Sequence, residues 1–243
     1  MGILNDMNTS SDIKSEEKDT LGGGFLLDSN IYDMLIQLAY LDKSKGGAHC
    51  INLHCKDAED NKFRQTIYFT NRNGDNFYER DGEKNYLPGY NQLNAISLLA
   101  ADKALNEIAT EEKMVNVYNY DEKKEVPTKK EVLMDWINKP IKLGILNISD
   151  DKNEKNADNK YVPSGELRNI NEIDKVFRAS DGKTIVEIKA DDDANFITEW
   201  KDKWEGEIKQ KGKGIRDPSL GAAAPGGSTG NPTPTPSSLF NAE

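Results

Sequence analysis

Between residues 31 and 148 the sequence holds five strand-like runs, with one helix-like run between the third and the fourth. The third run, 63–70, has the clearest period: Phe63, Ile67 and Phe69 alternate with Arg64, Thr66 and Tyr68, as in a half-buried strand. The second, 48–56, sets Ile51 and Leu53 against Asn52 and His54. The first, 31–41, is apolar on both sides. Tyr32, Met34, Ile36, Leu38 and Tyr40 share one side and Leu35, Ala39 and Leu41 the other. Residues 114–120 and 141–148 supply the fourth and fifth runs. In 90–108, Leu93, Ile96, Leu99 and Ala100 recur at three- and four-residue steps, the apolar stripe of a helix packed on a core.

Three strands, a helix and two more strands is the order of an OB-fold, a small five-stranded barrel that offers an outer face and two loops to single strands and sugars. The expected fold class is therefore mainly β with helices, an OB-fold-like barrel over residues 23–150. Residues 1–22 are polar and aperiodic and read as a mobile N-terminal arm. Residues 151–210 read as an accessory hairpin followed by a helix. In that hairpin 170–177 and 184–189 flank an Asp181-Gly182 turn. In the helix Phe196, Trp200, Trp204 and Ile208 recur every four residues. Residues 149–164, rich in Asp, Asn and Lys, read as a mobile segment. Residues 211–243 read as a Gly/Pro/Ser/Thr tether ending in an apolar tip.

Composition narrows the function classes. No run of the 243 residues reaches the roughly 18–20 apolar residues of a membrane span, and the first 20 residues hold no apolar signal segment. A soluble, intracellular protein without membrane contact is the expectation. Net charge is −10. Residues 21–150 carry 20 acids and 16 bases, a net of −4, so phosphate binding must use a local stripe of cations rather than the global field.

Enzymatic chemistry finds no foothold in the motifs. Phosphate-loop, nucleophile-elbow and His-Glu-x-x-His patterns are missing. With only two histidines, His49 and His54, a nucleophile–base pair is hard to assemble. Cys50, His54 and Cys55 invite a zinc reading, but on a strand Cys50 and His54 lie about 13 Å apart and Cys50 and Cys55 point to opposite faces. No metal, no cofactor and no catalytic residue is expected.

A basic and aromatic constellation carries more. Arg64 and Tyr68 oppose the apolar side of the third strand, and Asn52 and His54 share their face. The next segment adds Arg72, Phe77, Tyr78, Arg80, Lys84 and Tyr86, and the first turn adds Lys43 and Lys45. Rings for stacking beside cations for phosphates are what a sequence-tolerant single-strand groove needs. The competing reading is that Phe77 and Tyr78 pack beneath a hairpin whose cations only solubilise it. At the other end, Leu239 and Phe240 are either a frayed terminus or a short motif for a partner's pocket, held near by the tether.

Several pieces resemble single-stranded DNA-binding proteins of podovirus-type bacteriophages. They include Gly23-Gly24-Phe25, the run from Ala39 to Ser44 with Gly46-Gly47-Ala48, and the run from Thr70 to Tyr78. Leu87-Pro88-Gly89-Tyr90, the run from Lys124 to Thr128 and the run from Ile173 to Phe177 complete the set. The resemblance implies an OB-type protein that coats and protects single-stranded DNA during phage replication and recombination in the cytoplasm of the infected host. It also implies contacts with replication, recombination or transcription proteins through the C-terminal tail. This chain departs at the tip: after Pro218 the only charged residue is Glu243. A protein-interaction adaptor that acts through the tail without binding DNA is the alternative.

Overall fold

The computed structural model describes residues 26–119 and 122–220. The expected arm, residues 1–22, and Leu239 and Phe240 of the tip lie outside them. The elements are β1 (Asn30–Lys43), β2 (His49–Lys56), β3 (Lys62–Tyr68), β4 (Phe77–Arg80), β5 (Glu83–Tyr86) and α1 (Pro88–Ala101). There follow β6 (Thr110–Asn119), β7 (Lys124–Leu133), β8 (Pro140–Lys155), β9 (Tyr161–Phe177), α2 (Ile185–Ala190), α3 (Phe196–Trp204) and β10 (Ile208–Gln210).

β1 is the hub. Along one edge it pairs antiparallel with β2; along the other it pairs first with β8, through Asn30 to Leu35, and then with β7 at Tyr40. β2 continues to β3, β8 pairs with β9, and β10 lies parallel to β8. Among the described residues β3 pairs only with β2 and β9 only with β8. The architecture is thus a mainly β, open, multi-stranded sheet with a few helices, and the backbone ladder does not close into the expected barrel.

A bulge explains why β1 is apolar on both sides. Ile36 opposes Cys55 and Leu38 opposes His54, which leaves Gln37 unmatched. An extra residue reverses the alternation. Met34 and Ile36 face the main core before the bulge and Ala39 after it, while Leu38 and Tyr40 turn to the opposite face. The reading that put Met34, Ile36, Leu38 and Tyr40 on one side fails at this residue.

The main core lies between β1–β3, β8, β9 and α1, with Leu93 and Ile96 of the helix fully buried. Proline at its start pre-sets the helix. Gly89 is pressed against β3: a Cβ there would stand 1.9 Å from the carbonyl oxygen of Tyr68. The helix ends at Asp102 in the left-handed region, short of residue 108, and Leu105–Glu107 form a separate 3₁₀ turn.

Three further readings are corrected. Residues 149–164 are largely strand, because β8 runs unbroken across residue 150 to Lys155 and pairs with β9 beyond Tyr161. Its Asp, Asn and Lys residues point to solvent on a projecting ribbon. Residues 184–189 are helical: Thr184 accepts the N–H of Glu187 while the Glu187 carboxylate accepts the N–H of Thr184, a reciprocal cap that opens α2. Residues 121–139 read from the sequence as a charged excursion with one or two helical turns over 131–138, but the segment 124–133 is β7. Only Met134–Trp136 beyond it are helical, a 3₁₀ turn that buries Trp136.

The helix α3 packs within its own chain. Trp200 is buried against Gly144 and Phe177 on the back of β8 and β9, and its Nε1 donates to Asp174 at 2.8 Å. The first ten residues of the expected tether are also fixed. Lys211 and Gly212 donate to the carbonyl of Ser149, Asp217 donates to Pro163, and Arg216 bridges to Ser164.

Candidate nucleic-acid interface

The face of β1–β3 turned away from the main core carries the polar half of each alternation. Register sets His54 opposite Arg64, Asn52 opposite Thr66 and Cys50 opposite Tyr68. Arg64 and Tyr68 are exposed, Tyr68 at 51%. Arg64 and Tyr68 are four residues apart, about 13 Å along a strand. Between them Thr66 donates its hydroxyl to Asn52 Oδ1 at 2.6 Å, so Asn52 is held in place by its neighbour.

The β6–β7 hairpin covers the β1 side of this face. Val115 and Val132 bury Tyr40. Lys130 stands 5.9 Å from the centre of the Tyr40 ring and pairs with Asp42 at 2.8 Å. Tyr40 in turn meets the His54 ring edge-on at 5.7 Å. The covered half is apolar, and the open half holds Asn52, His54, Arg64, Thr66 and Tyr68. This wall went unread in the sequence, although Val126, Thr128, Lys130 and Val132 alternate there with period two.

Burial, and then the nearby Arg64 cation, hold the His54 imidazole below its ordinary pKa, with Glu125 opposing them. Burial pushes the Cys50 thiol up to about 11 and the Cys55 thiol up to about 12, so neither is a ready thiolate. Cys50 sits on the His54 face and Cys55 in the main core. Among the described residues no three His, Cys, Asp or Glu side chains gather as a ligand set.

At the Tyr68 end of the face the β1–β2 turn folds against Arg72. Arg72 Nε lies 3.5 Å from where a Cβ on Gly46 would sit, and Lys43 Cε 4.0 Å from that of Gly47. Gly47 has φ +98° and the Arg72 carbonyl 3.0 Å from its missing Cβ, so glycine is required here. Lys43, Lys45 and Arg72, all exposed, therefore share one corner.

The remaining expected residues belong to the β4–β5 hairpin. Its two-residue turn, Asp81 and Gly82, has both φ angles positive, the twist a tight hairpin needs. Phe77 pairs with Tyr86 and is covered by Lys84, whose Nζ lies 4.8 Å from the ring centre. Tyr86 stacks on Tyr90 of α1 at 4.6 Å. Arg80 reaches Asp81 at 3.4 Å in full solvent. Tyr78 is on the hairpin's other side. It looks into a groove of about 940 Å³ bounded by α1, β9 and the α2–α3 corner.

No model of a known protein family matches this sequence, and no curated protein matches it significantly. The twelve expected binding residues fall into three groups: the open sheet face, the cationic corner beside it, and the hairpin. The first two adjoin through Tyr68. The hairpin divides its own set, with Phe77 under Lys84 and Tyr78 over the groove. Lys175 and Phe196 line the same groove; the four-residue period of Phe196 pointed only to a packed helix, and nothing local to Lys175 tied it to Tyr78. No helix among the described residues is long and apolar enough to cross a membrane.

Proposed function

We propose that this chain is a non-enzymatic protein that coats single-stranded DNA with little sequence preference. The observation that carries the reading is the exposed Arg64–Tyr68 track on β3, continuous with the Lys43/Lys45/Arg72 corner. A base stacked on an exposed ring contributes roughly 1–3 kcal/mol and requires no net positive charge, which suits a chain of net charge −10. The resemblance to phage single-stranded DNA-binding proteins supports the same reading. An OB-like frame also supports it, although not with the expected strands: β8 and β9 would serve as the fourth and fifth, and residues 114–119 of the expected fourth run fall in β6, outside that frame. On that reading β4–β5 and β6–β7 are insertions before and after the helix. Coating during replication and recombination, and recruitment of partners through the tail, follow as the biological role.

The test is fluorescence anisotropy with a mixed-sequence oligonucleotide, single- or double-stranded, across a salt series. Binding should favour the single strand clearly and weaken steeply as salt rises. Equal affinity for both forms, or none for either, overturns the proposal.

A further inference from the structure

The groove beside the β4–β5 hairpin is lined by Glu172, Asp174, Glu187 and Lys175 beside aromatic and amide side chains. Its acids are already engaged. Asp174 accepts the Trp200 Nε1–H at 2.8 Å and lies 4.0 Å from Lys209. Glu172 lies 3.8 Å from Lys211. Glu187 is buried and accepts the backbone N–H groups of Thr184, Asn195 and Phe196. Lys175 is exposed and, among the described residues, forms no ion pair; its Nζ lies 5.7 Å from the centre of the Phe196 ring. What the groove leaves available is one cation, the rings of Tyr78, Tyr86 and Phe196, and the amides of Asn85 and Asn91. A volume of about 940 Å³ is at the upper end for a small-molecule site. Rings, amides and one cation match a planar, hydrogen-bonding, singly anionic ligand: a nucleotide unit.

The groove is also continuous with the open face. β3 is an edge strand. Arg64, Thr66 and Tyr68 stand on one side of it, and Gln65, between them in sequence, lines the groove on the other. Gly89, which touches the Tyr68 carbonyl, lines it as well. A chain leaving the Arg64–Tyr68 track over this edge enters the groove directly.

We propose that a bound single strand crosses the unladdered edge of β3 and seats one nucleotide in this groove, its base against Tyr78 and its phosphate at Lys175. The inference rests on the single-strand reading above and adds a course for the strand and a second contact region to it.

The test uses the full chain and an oligothymidylate in which single thymidines are replaced by 5-iododeoxyuridine. Irradiated complexes are digested and the crosslinked peptides mapped by mass spectrometry. Tyr78 should crosslink, and from one position of the strand only. In parallel, Tyr78→Ala should weaken binding roughly 5- to 10-fold, one lost stacking contact. Lys175→Gln should reduce the slope of log affinity against log salt by about one, one lost phosphate contact. Both side chains are exposed, and circular dichroism checks that the variants stay folded. If the wild-type chain binds single strands while crosslinks stay outside the groove and both variants match it in affinity and salt slope, the groove is overturned and the coating function stands. If the wild-type chain binds no single strand, both fall together.

Discussion

The side-chain oxygen of Gln65 on β3 accepts the backbone N–H of Ile173 on β9 at 2.8 Å, and Gln92 of α1 donates to the carbonyl of the same Ile173 at 2.7 Å. Two side chains thus satisfy both polar groups of one residue on a strand edge that no neighbouring strand pairs. An unpaired edge is a template for unwanted association, and here amides occupy it. The seam between β3 and β9 is bridged without a ladder.

Replacing Gln65 by Leu keeps the volume and removes the acceptor. An orphaned, largely buried N–H costs about 1–3 kcal/mol. The urea midpoint should fall accordingly with the slope unchanged, and the Ile173 amide should exchange faster. An unaltered midpoint and exchange rate would mean that the seam is held elsewhere.

Gly89 makes a second strong claim. The atom nearest its missing Cβ, at 1.9 Å, is the backbone oxygen of Tyr68, with Ile67 Cγ2 at 3.3 Å behind it. Backbone cannot rotate away, so Gly89→Ala must push the start of α1 off β3. Overpacking of this kind costs about 3 kcal/mol, the upper end of the usual range. Thermal unfolding should show it. Because Tyr68 is displaced too, single-strand affinity should fall in the same variant. A variant as stable as the wild type would show that α1 can shift freely, against the contact described.

Much of this frame was legible in the sequence, because period-two alternation in β2 and β3 and the stripe of α1 are local signals. Ile51, Leu53 and Ile67 went to the core, and Arg64 and Tyr68 to solvent, as their alternation requires. Where reading failed, the determinant was non-local or off-period. The bulge at Gln37 is visible only once β2 is paired. The outer half of the β8–β9 ribbon is polar on both faces, and no hydrophobic period marks a strand that packs on so little. Thr184–Ile188 looks like a β-branched strand, but the reciprocal Thr184–Glu187 cap makes it a helix. The groove drew its residues from seven separate elements, and only the fold brings Lys175 and Phe196 near Tyr78.

Glu187 joins α2 to α3. Its carboxylate accepts the N–H of Thr184 at 2.8 Å, of Asn195 at 2.8 Å and of Phe196 at 2.7 Å, and the Thr184 hydroxyl at 3.0 Å. Burial alone would raise its pKa; the backbone donors, led by Phe196 and Thr184, outweigh burial and hold it below the ordinary value. A carboxyl with a lowered folded pKa stabilises above its unfolded value and loses that contribution as pH falls through the folded one. Glu187→Ala strands several donors and should cost about 3 kcal/mol. It should also abolish the part of the acid destabilisation, below about pH 4.5, that belongs to this corner. Identical acid unfolding profiles for the variant and the wild type would remove Glu187 from that role.

His54 offers a readout of the open face itself. Burial first, and Arg64 second, hold its pKa below 6.5. As pH falls through 6.5 the unfolded chain takes up the proton before the folded chain does. The stability contribution is therefore full above that value and is lost as pH falls toward the folded pKa. A phosphate settling beside Arg64 reverses the local field and favours the imidazolium. Binding of a single strand then takes up a proton, and affinity should rise as pH is lowered from 8 to 6. His54→Gln should flatten that dependence. His49 and His54 are the only imidazoles in the chain, so their NMR titrations can be told apart with one variant. His54 should titrate below 6.5 in the free protein and move upward when an oligonucleotide saturates it. Arg64→Ala should raise the free value partway, since burial remains. A His54 midpoint that ignores saturating DNA would place the strand's phosphates away from Arg64.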